Sequence, residues 1–241
     1  MLKFKNVALS YEGAEVLSDL NFEINKNEII GLIGKSGEGK STILKSIFDF
    51  SIVLKGEILY NGQNILKLKN KQLKQYKNNI SFTDSETLSL NDLDAYKNIL
   101  YNFNAYSNIW NKYWKILTKE QINILWSLFN QFGVEKYALT PLNQLSTGQK
   151  QRFNFISGVF KNSEILICDE ITSNLDLNNS QKVYNHLLRL KNDKIIITAI
   201  HDIDLAMQYC DKLIAVKSGK IQKIITKEQF DKEELLIYFD E

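Results

Sequence analysis

Residues 34 to 42 read Gly34, Lys35, Ser36, Gly37, Glu38, Gly39, Lys40, Ser41 and Thr42, which fits the spacing G-x-x-x-x-G-K-[ST]. Glycines let consecutive backbone N–H groups turn inward without side-chain obstruction, so the loop can form a nest for an anion. A helix starting just after it adds partial positive charge. A polyphosphate suits such a nest. Lys40 would then reach the β- and γ-phosphate oxygens, and the Ser41 hydroxyl would ligate Mg²⁺. The alternative is a glycine-rich turn that holds a lysine and a serine by chance; a matching strand end downstream argues against it.

That strand end is "EILICDE" (164 to 170), where four apolar residues run into Asp169 and Glu170. Open α/β sheets bind ligands at the C-terminal edges of their parallel strands, so Asp169 is placed to hold Mg²⁺ through water. Glu170 is placed to polarise an attacking water as general base. His201, in "AIHD", closes another apolar run beside the same phosphate. Ser146 and Gly148, in "QLSTGQKQR" (144 to 152), precede a helical stretch and make a second candidate anion corner. Taken singly, the histidine reads as structural and the serine as a helix cap.

These groups need a frame that gathers strand ends. "EIIGLIG" (28 to 34), "EILICDE", "KIIITAIHD" (194 to 202) and "KLIAVKSG" (212 to 219) are short, nearly continuous apolar runs. That is the pattern of parallel strands covered on both faces. Helical periodicity lies between them, in Val183, Leu187 and Leu190 and then in Leu205, Ala206 and Tyr209. Ile43, Leu44, Ile47 and Phe48 mark the buried face of the helix after the glycine loop. The fold class is therefore α/β, a P-loop NTPase core with a mostly parallel sheet. "LKFKNVALSY", "VLSDLNFEI" and "GEILYNG" alternate instead, which adds an N-terminal antiparallel β-subdomain.

Residues 86 to 160 carry few strand signals and all three tryptophans, Trp110, Trp114 and Trp126. They read as an inserted α-helical subdomain. Tyr96, Ile99, Leu100 and Phe103 share one helix face, so most of these aromatics are expected in the lobe's own core; the alternative is a surface for another protein. The chain is one domain, 1–241, with 1–85 and 161–241 forming the core and β-subdomain.

Bulk properties narrow the function. A formal charge of +2 does not indicate a general nucleic-acid surface, and the lysines of "KLKNKQLKQYK" (67 to 77) read as a solvated helix face. Two cysteines, Cys168 and Cys210, imply a reducing compartment and no disulfide framework. The N-terminus lacks a signal-peptide apolar region, and no apolar run approaches the ~18 residues that span a bilayer. The expectation is a soluble chain that meets a membrane through a partner.

Together the motifs resemble the ATP-binding cassette (ABC) ATPases, the nucleotide-driven subunits of membrane transporters, over almost the whole chain. The order matches: Tyr11 ahead of the second strand, the phosphate loop, the signature Leu145 to Gln149, the Asp-Glu strand end, "SNLD" (Ser173 to Asp176), and His201. The resemblance implies ATP hydrolysis with ATP and Mg²⁺ as cofactors. Lys40, Glu170 and His201 would be catalytic, Ser41 and Asp169 would hold the metal, and Tyr11 would stack on adenine. Ser146, Thr147, Gly148 and Gln149 would touch ATP bound to a second copy, with Asp176 linking the two sites. It further implies a homodimer at the cytoplasmic face of the cell membrane, bound to transmembrane permease subunits and served by a substrate-binding protein or lipoprotein, with no nucleic-acid partner. The length and tryptophan placement of the insertion are similar to those of phosphonate-type importers.

Three positions depart from the family pattern. The register "ISFTDS" (80 to 85) puts Ser85 where a glutamine is usual, followed by Glu86; Glu86 and Asp84 are the oxygen ligands at hand. Thr147 stands where glycine is commoner, and Ile171 where the proline ahead of the "SNLD" loop would be. A soluble ATP-gated clamp with slow or no hydrolysis is the rival reading. A phosphate-loop kinase is a third, for which "LSTGQ" and His201 would be accidents.

Overall fold

The computed structural model describes residues 1–84 and 87–239. Ser85 and Glu86, where the glutamine is missing, lie outside the described residues. The chain opens with strands β1 (Leu2–Tyr11), β2 (Ala14–Ile24) and β3 (Ile29–Ile33), then helix α1 (Lys40–Ser46). Next come β4 (Val53–Tyr60), β5 (Gln63–Asn64), α2 (Asn70–Asn78) and β6 (Ile80–Thr83). A helical run follows: α3 (Ala95–Asn102), α4 (Ile109–Trp114), α5 (Lys119–Gln131) and α6 (Thr147–Phe160). The chain returns through β7 (Ile165–Asp169), α7 (Leu177–Leu190), β8 (Ile195–Ala199) and α8 (Ile203–Tyr209), and ends with β9 (Lys212–Lys217), β10 (Lys220–Thr226) and α9 (Lys232–Leu236).

These elements form two compact units. The first holds Met1–Ile80, Glu164–Glu170 and the chain from Tyr184 onward; the second holds Ser81–Ser163 and Ile171–Val183. In the first unit one sheet is antiparallel, in the order β2-β1-β4-β5, and the other runs β10-β9-β3-β8-β7. Strands β3, β7 and β8 are buried at every position. Side chains such as Ile or Leu gain roughly 1.5–3 kcal/mol each when fully buried, so these runs of Ile, Leu and Cys pull the strands into the middle of the sheet. The parallel register pairs Leu32 with Ala199 and Asp169 with Ala199, which sets the C-terminal ends of β3, β8 and β7 side by side. The start of β3 is pinned by Asp211, whose Oδ2 accepts from Ile29 N at 2.8 Å while Oδ1 accepts from Lys191 Nζ at 2.9 Å.

The antiparallel sheet packs Phe4 on Phe22, with ring centroids 4.2 Å apart. The lysines from 67 to 77 are all exposed on or beside α2, the solvated face the sequence describes. Cys168 and Cys210 are both buried and neither is in a disulfide; burial pushes the Cys210 thiol up to about 12.

In the second unit, rings join the helices: Phe129 meets Phe153 at 5.4 Å, Phe132 meets Phe155 at 5.2 Å, and Phe103 meets Phe160 at 4.6 Å. Ile99, Leu100 and Phe103 are buried as their spacing predicts, and Tyr96 is half-buried. The tryptophans divide. Trp126 packs edge-on against Phe129 at 5.4 Å, whereas Trp110 and Trp114 are exposed, against the expectation of a core role. The reason is local: no residue of α4 is buried. Among the described residues, no helix is long and apolar enough to cross a membrane.

Candidate active site

The glycine loop leaves β3 and turns into α1, whose Ile43, Leu44 and following Ile47 are buried. Gly34 is required by contact and Gly39 by its backbone conformation. At Gly34 a Cβ would collide with the Val216 carbonyl oxygen, and at Gly39, where φ is +93°, it would lie 2.7 Å from Leu17 Cδ1. Gly39 is the N-cap of α1 and provides no side-chain cap, so the first N–H groups of the helix are left for a ligand to satisfy. Glu38 bridges away from the loop: its Oε2 accepts from Ser218 N in the turn between β9 and β10.

Lys40 is buried, and its Nζ donates to Gly34 O at 2.6 Å and Lys35 O at 2.9 Å. Burial pulls its pKa below the usual lysine range, while the carboxylates of Glu170, Asp169 and Glu38 act in the opposite sense. The ammonium therefore sits among acidic groups with its donors turned toward the loop's carbonyls, ready to exchange them for anionic oxygens.

Asp169 ends β7 and is buried; Ser41 Oγ donates to its Oδ1 at 3.1 Å. Because Asp169 pairs with Ala199, the residues just past both strands are neighbours. Glu170 turns out of the strand with φ +52°, a left-handed conformation that costs a non-glycine residue about 1–2 kcal/mol. Its Oε1 thereby lies 2.7 Å from His201 Nε2. A histidine nitrogen this close to one oxygen of the carboxylate fixes the direction in which the group points.

A cleft of about 400 Å³ has Ser36 to Thr42 as its floor and Glu170, Tyr11, Val16 and Gly219 around it. Tyr11 ends β1 and is 59% exposed. The first unit thus brings together Tyr11, the whole loop from Gly34 to Thr42, Asp169, Glu170 and His201. Val16, Gly219 and the Glu38–Ser218 bond escaped the sequence reading. The dipeptide Ser218-Gly219 between two strands is a two-residue hairpin signal that points to the turn, but not to its place beside the loop.

Ser146, Thr147, Gly148, Gln149 and Asp176 belong to the second unit. Ser146 caps α6: its Oγ accepts from Gln149 N at 3.3 Å, and Gln149 Oε1 accepts from Ser146 N at 2.9 Å. A Cβ on Gly148 would lie 3.0 Å from Asn174 O, which accounts for a glycine there. Asp176 accepts from the backbone N–H and the side-chain amide of Asn179, both at 2.8 Å, and these bonds hold its carboxyl below the usual range.

A glycine loop after a central parallel strand, with Asp169 and Glu170 ending a strand of the same sheet, defines a P-loop nucleoside triphosphatase. The chain belongs to the ABC transporter family, whose model matches residues 17–173, and it is an ATPase cassette of that family. It is 31% identical to the phosphonates import ATP-binding protein PhnC of Treponema denticola, over 92% of this chain and 88% of that protein. It is 32% identical to the probable ABC transporter ATP-binding protein p29 of Mycoplasma pneumoniae, over 100% and 98%. Its fold matches a solved ATP-binding subunit of an ABC transporter at TM-score 0.81 and 21% identity, covering 99% of both chains. It also matches a dimeric cassette bound to ADP and Pi at TM-score 0.78 and 24% identity, covering 95% of this chain and 100% of that one.

Proposed function

We propose that this cassette drives a membrane importer of the phosphonate type, working as a pair of identical copies. The pair would sit on a transmembrane permease at the cytoplasmic face of the membrane, with cargo delivered by a binding protein. The observation that carries hydrolysis is the His201–Glu170 contact of 2.7 Å next to the Ser41–Asp169 contact of 3.1 Å. One aims a base and the other offers hard oxygen donors. A hydroxyl and a single carboxylate suit Mg²⁺, which keeps waters and takes its remaining oxygens from phosphates. When bound, the metal would draw negative charge off the phosphate oxygens.

The chain's own groups supply the rest. Tyr11 offers a ring face to adenine at the rim of the cleft. The loop N–H groups and Lys40 hold the β- and γ-phosphates once the ammonium leaves Gly34 O and Lys35 O. Glu170 takes a proton from water as the water oxygen bonds to the γ-phosphorus, and the bridging oxygen departs with ADP. His201 holds the carboxylate in place for that step. Ser146 to Gln149 and Asp176 would complete the pocket of the second copy, so ATP closes the pair and its hydrolysis releases it. Import and the phosphonate class are supported by the names of the relatives and by the insertion's length.

Replacing Glu170 with Gln tests the reading. The variant is expected to bind ATP normally, to hydrolyse it about 10²–10⁴-fold more slowly, as loss of a general base implies, and to run as an ATP-dependent dimer in size-exclusion chromatography. Turnover at the wild-type rate would overturn the role of Glu170. A nucleotide-bound monomer would overturn the paired mechanism and favour the soluble clamp.

A further inference from the structure

The short helix α4 wears its apolar side outward. Ile109, Trp110, Tyr113 and Trp114 span an arc of about 140° at 100° per residue, and with Tyr101 and Ile116 they are 54% to 78% exposed. Local side-chain bonds close its first turn. Asn108 Oδ1 accepts from Asn111 N at 2.8 Å, Asn111 Nδ2 donates to Ser107 Oγ at 2.8 Å, and no residue of the helix is buried. A cluster of exposed aromatics that contributes nothing to the core marks a contact surface.

Charge identifies the partner. Between Asp94 and Glu120 the chain carries four lysines and no further Asp or Glu; Lys97 is paired with Asp94 at 3.0 Å, and Lys112, Lys115 and Lys119 remain beside the aromatics. Lys115 is half-buried, its ammonium 5.3 Å from the ring centre of Tyr101 and 5.7 Å from that of Tyr106, so cation and aromatics share one patch. Tryptophan and tyrosine prefer the headgroup level of a bilayer, where one end of the ring is apolar and the other wet. Lysines beside them add attraction to anionic headgroups. We infer that the α4 region of this chain rests on an anionic lipid surface, its aromatic face at the headgroup boundary. This contact is separate from the nucleotide cleft and does not depend on the cargo.

The test is sedimentation of the full chain with vesicles of phosphatidylcholine alone or mixed with phosphatidylglycerol, together with tryptophan quenching by brominated phospholipid. Binding is expected to the anionic vesicles, with quenching, and to weaken as salt rises from about 0.1 to 1 M and the screening length falls from about 10 to 3 Å. A chain carrying Trp110→Ser and Trp114→Ser should lose about tenfold or more in partitioning, and one carrying Lys112→Glu and Lys119→Glu should bind phosphatidylglycerol no better than phosphatidylcholine. Both should keep wild-type ATP affinity, which verifies their fold. No binding to anionic vesicles, or equal binding by the tryptophan variant, overturns the inference. So does a tryptophan variant that keeps its vesicle binding but loses a membrane subunit on purification, because the face then docks a protein.

Discussion

Changing Lys40 to methionine keeps the aliphatic stem and removes only the ammonium. In the folded chain Lys40 is 4% exposed and its ammonium donates to two backbone carbonyls, at 2.6 and 2.9 Å. Hydrogen bonds to a charged group contribute about 1.5–3 kcal/mol each, but burial opposes the charge itself, as the lowered pKa records. Methionine leaves those two carbonyls without a donor, at about 1–3 kcal/mol each where they stay dry, and relief of the buried charge offsets part of this, so stability without nucleotide should fall by about 1–3 kcal/mol. The effect with ATP is much larger. Truncating one partner of a buried charge pair costs about 2–5 kcal/mol, a loss of roughly 30- to 4000-fold in affinity. Titration calorimetry with Mg-ATP reads this directly, and thermal unfolding gives an independent check. ATP at about a hundred times the wild-type Kd adds about 2.7 kcal/mol, or about 5–10 °C in Tm for a chain of this size. At the same ATP concentration the variant should gain less than about 3 °C. An unchanged Kd with the wild-type Tm gain would mean that the ammonium does not face the phosphates and that the cleft is misassigned.

Two further perturbations probe the frame. A Cβ on Gly158 of α6 would strike Thr83 Cγ2, and a β-branched side chain cannot swing clear; Gly158→Ala should cost about 1–3 kcal/mol in urea unfolding, and a stabilised protein would show that the space exists. Burial, aided by the charge of Arg189, lowers the pKa of His186 to about 4. Its contribution is full above pH 6.5 and is lost as pH falls toward 4, where the unfolded chain takes up a proton that the folded chain refuses. Stability should drop by about 1–2 kcal/mol between pH 7 and 5, and His186→Gln should flatten that slope; an unchanged slope assigns it to other groups.

The parallel strands are legible because each is a buried apolar run that ends where its chemistry begins. Strand β10 is not, since Ile225 is its one buried residue and its sequence lacks that signature. The loop from Gly34 to Thr42 can be read because its parts are contiguous. The Glu170–His201 contact joins residues 31 apart and follows from the pairing of β7 with β8, which no local pattern states. Periodicity is equally silent on why Ile171–Val183 joins the helical unit; the links are Gln151 Nε2 to Ser173 Oγ at 3.2 Å and Asn174 N to Gln151 Oε1 at 2.9 Å. Trp110 and Trp114 show the limit from the other side, since hydropathy marks a face as apolar without saying what covers it.

The hydrogen of Gly39 points at Leu17, and a Cβ in its place would lie 2.7 Å from that side chain's Cδ1. The phosphate-gripping turn and the antiparallel sheet are therefore fitted to each other across a gap the size of an atom. Sequence drift in β2 cannot be silent at the nucleotide: a bulkier side chain at position 17 would press on the loop, and a smaller one would let it sag. The β-subdomain is in that sense a gauge block for the catalytic loop, setting its height from behind.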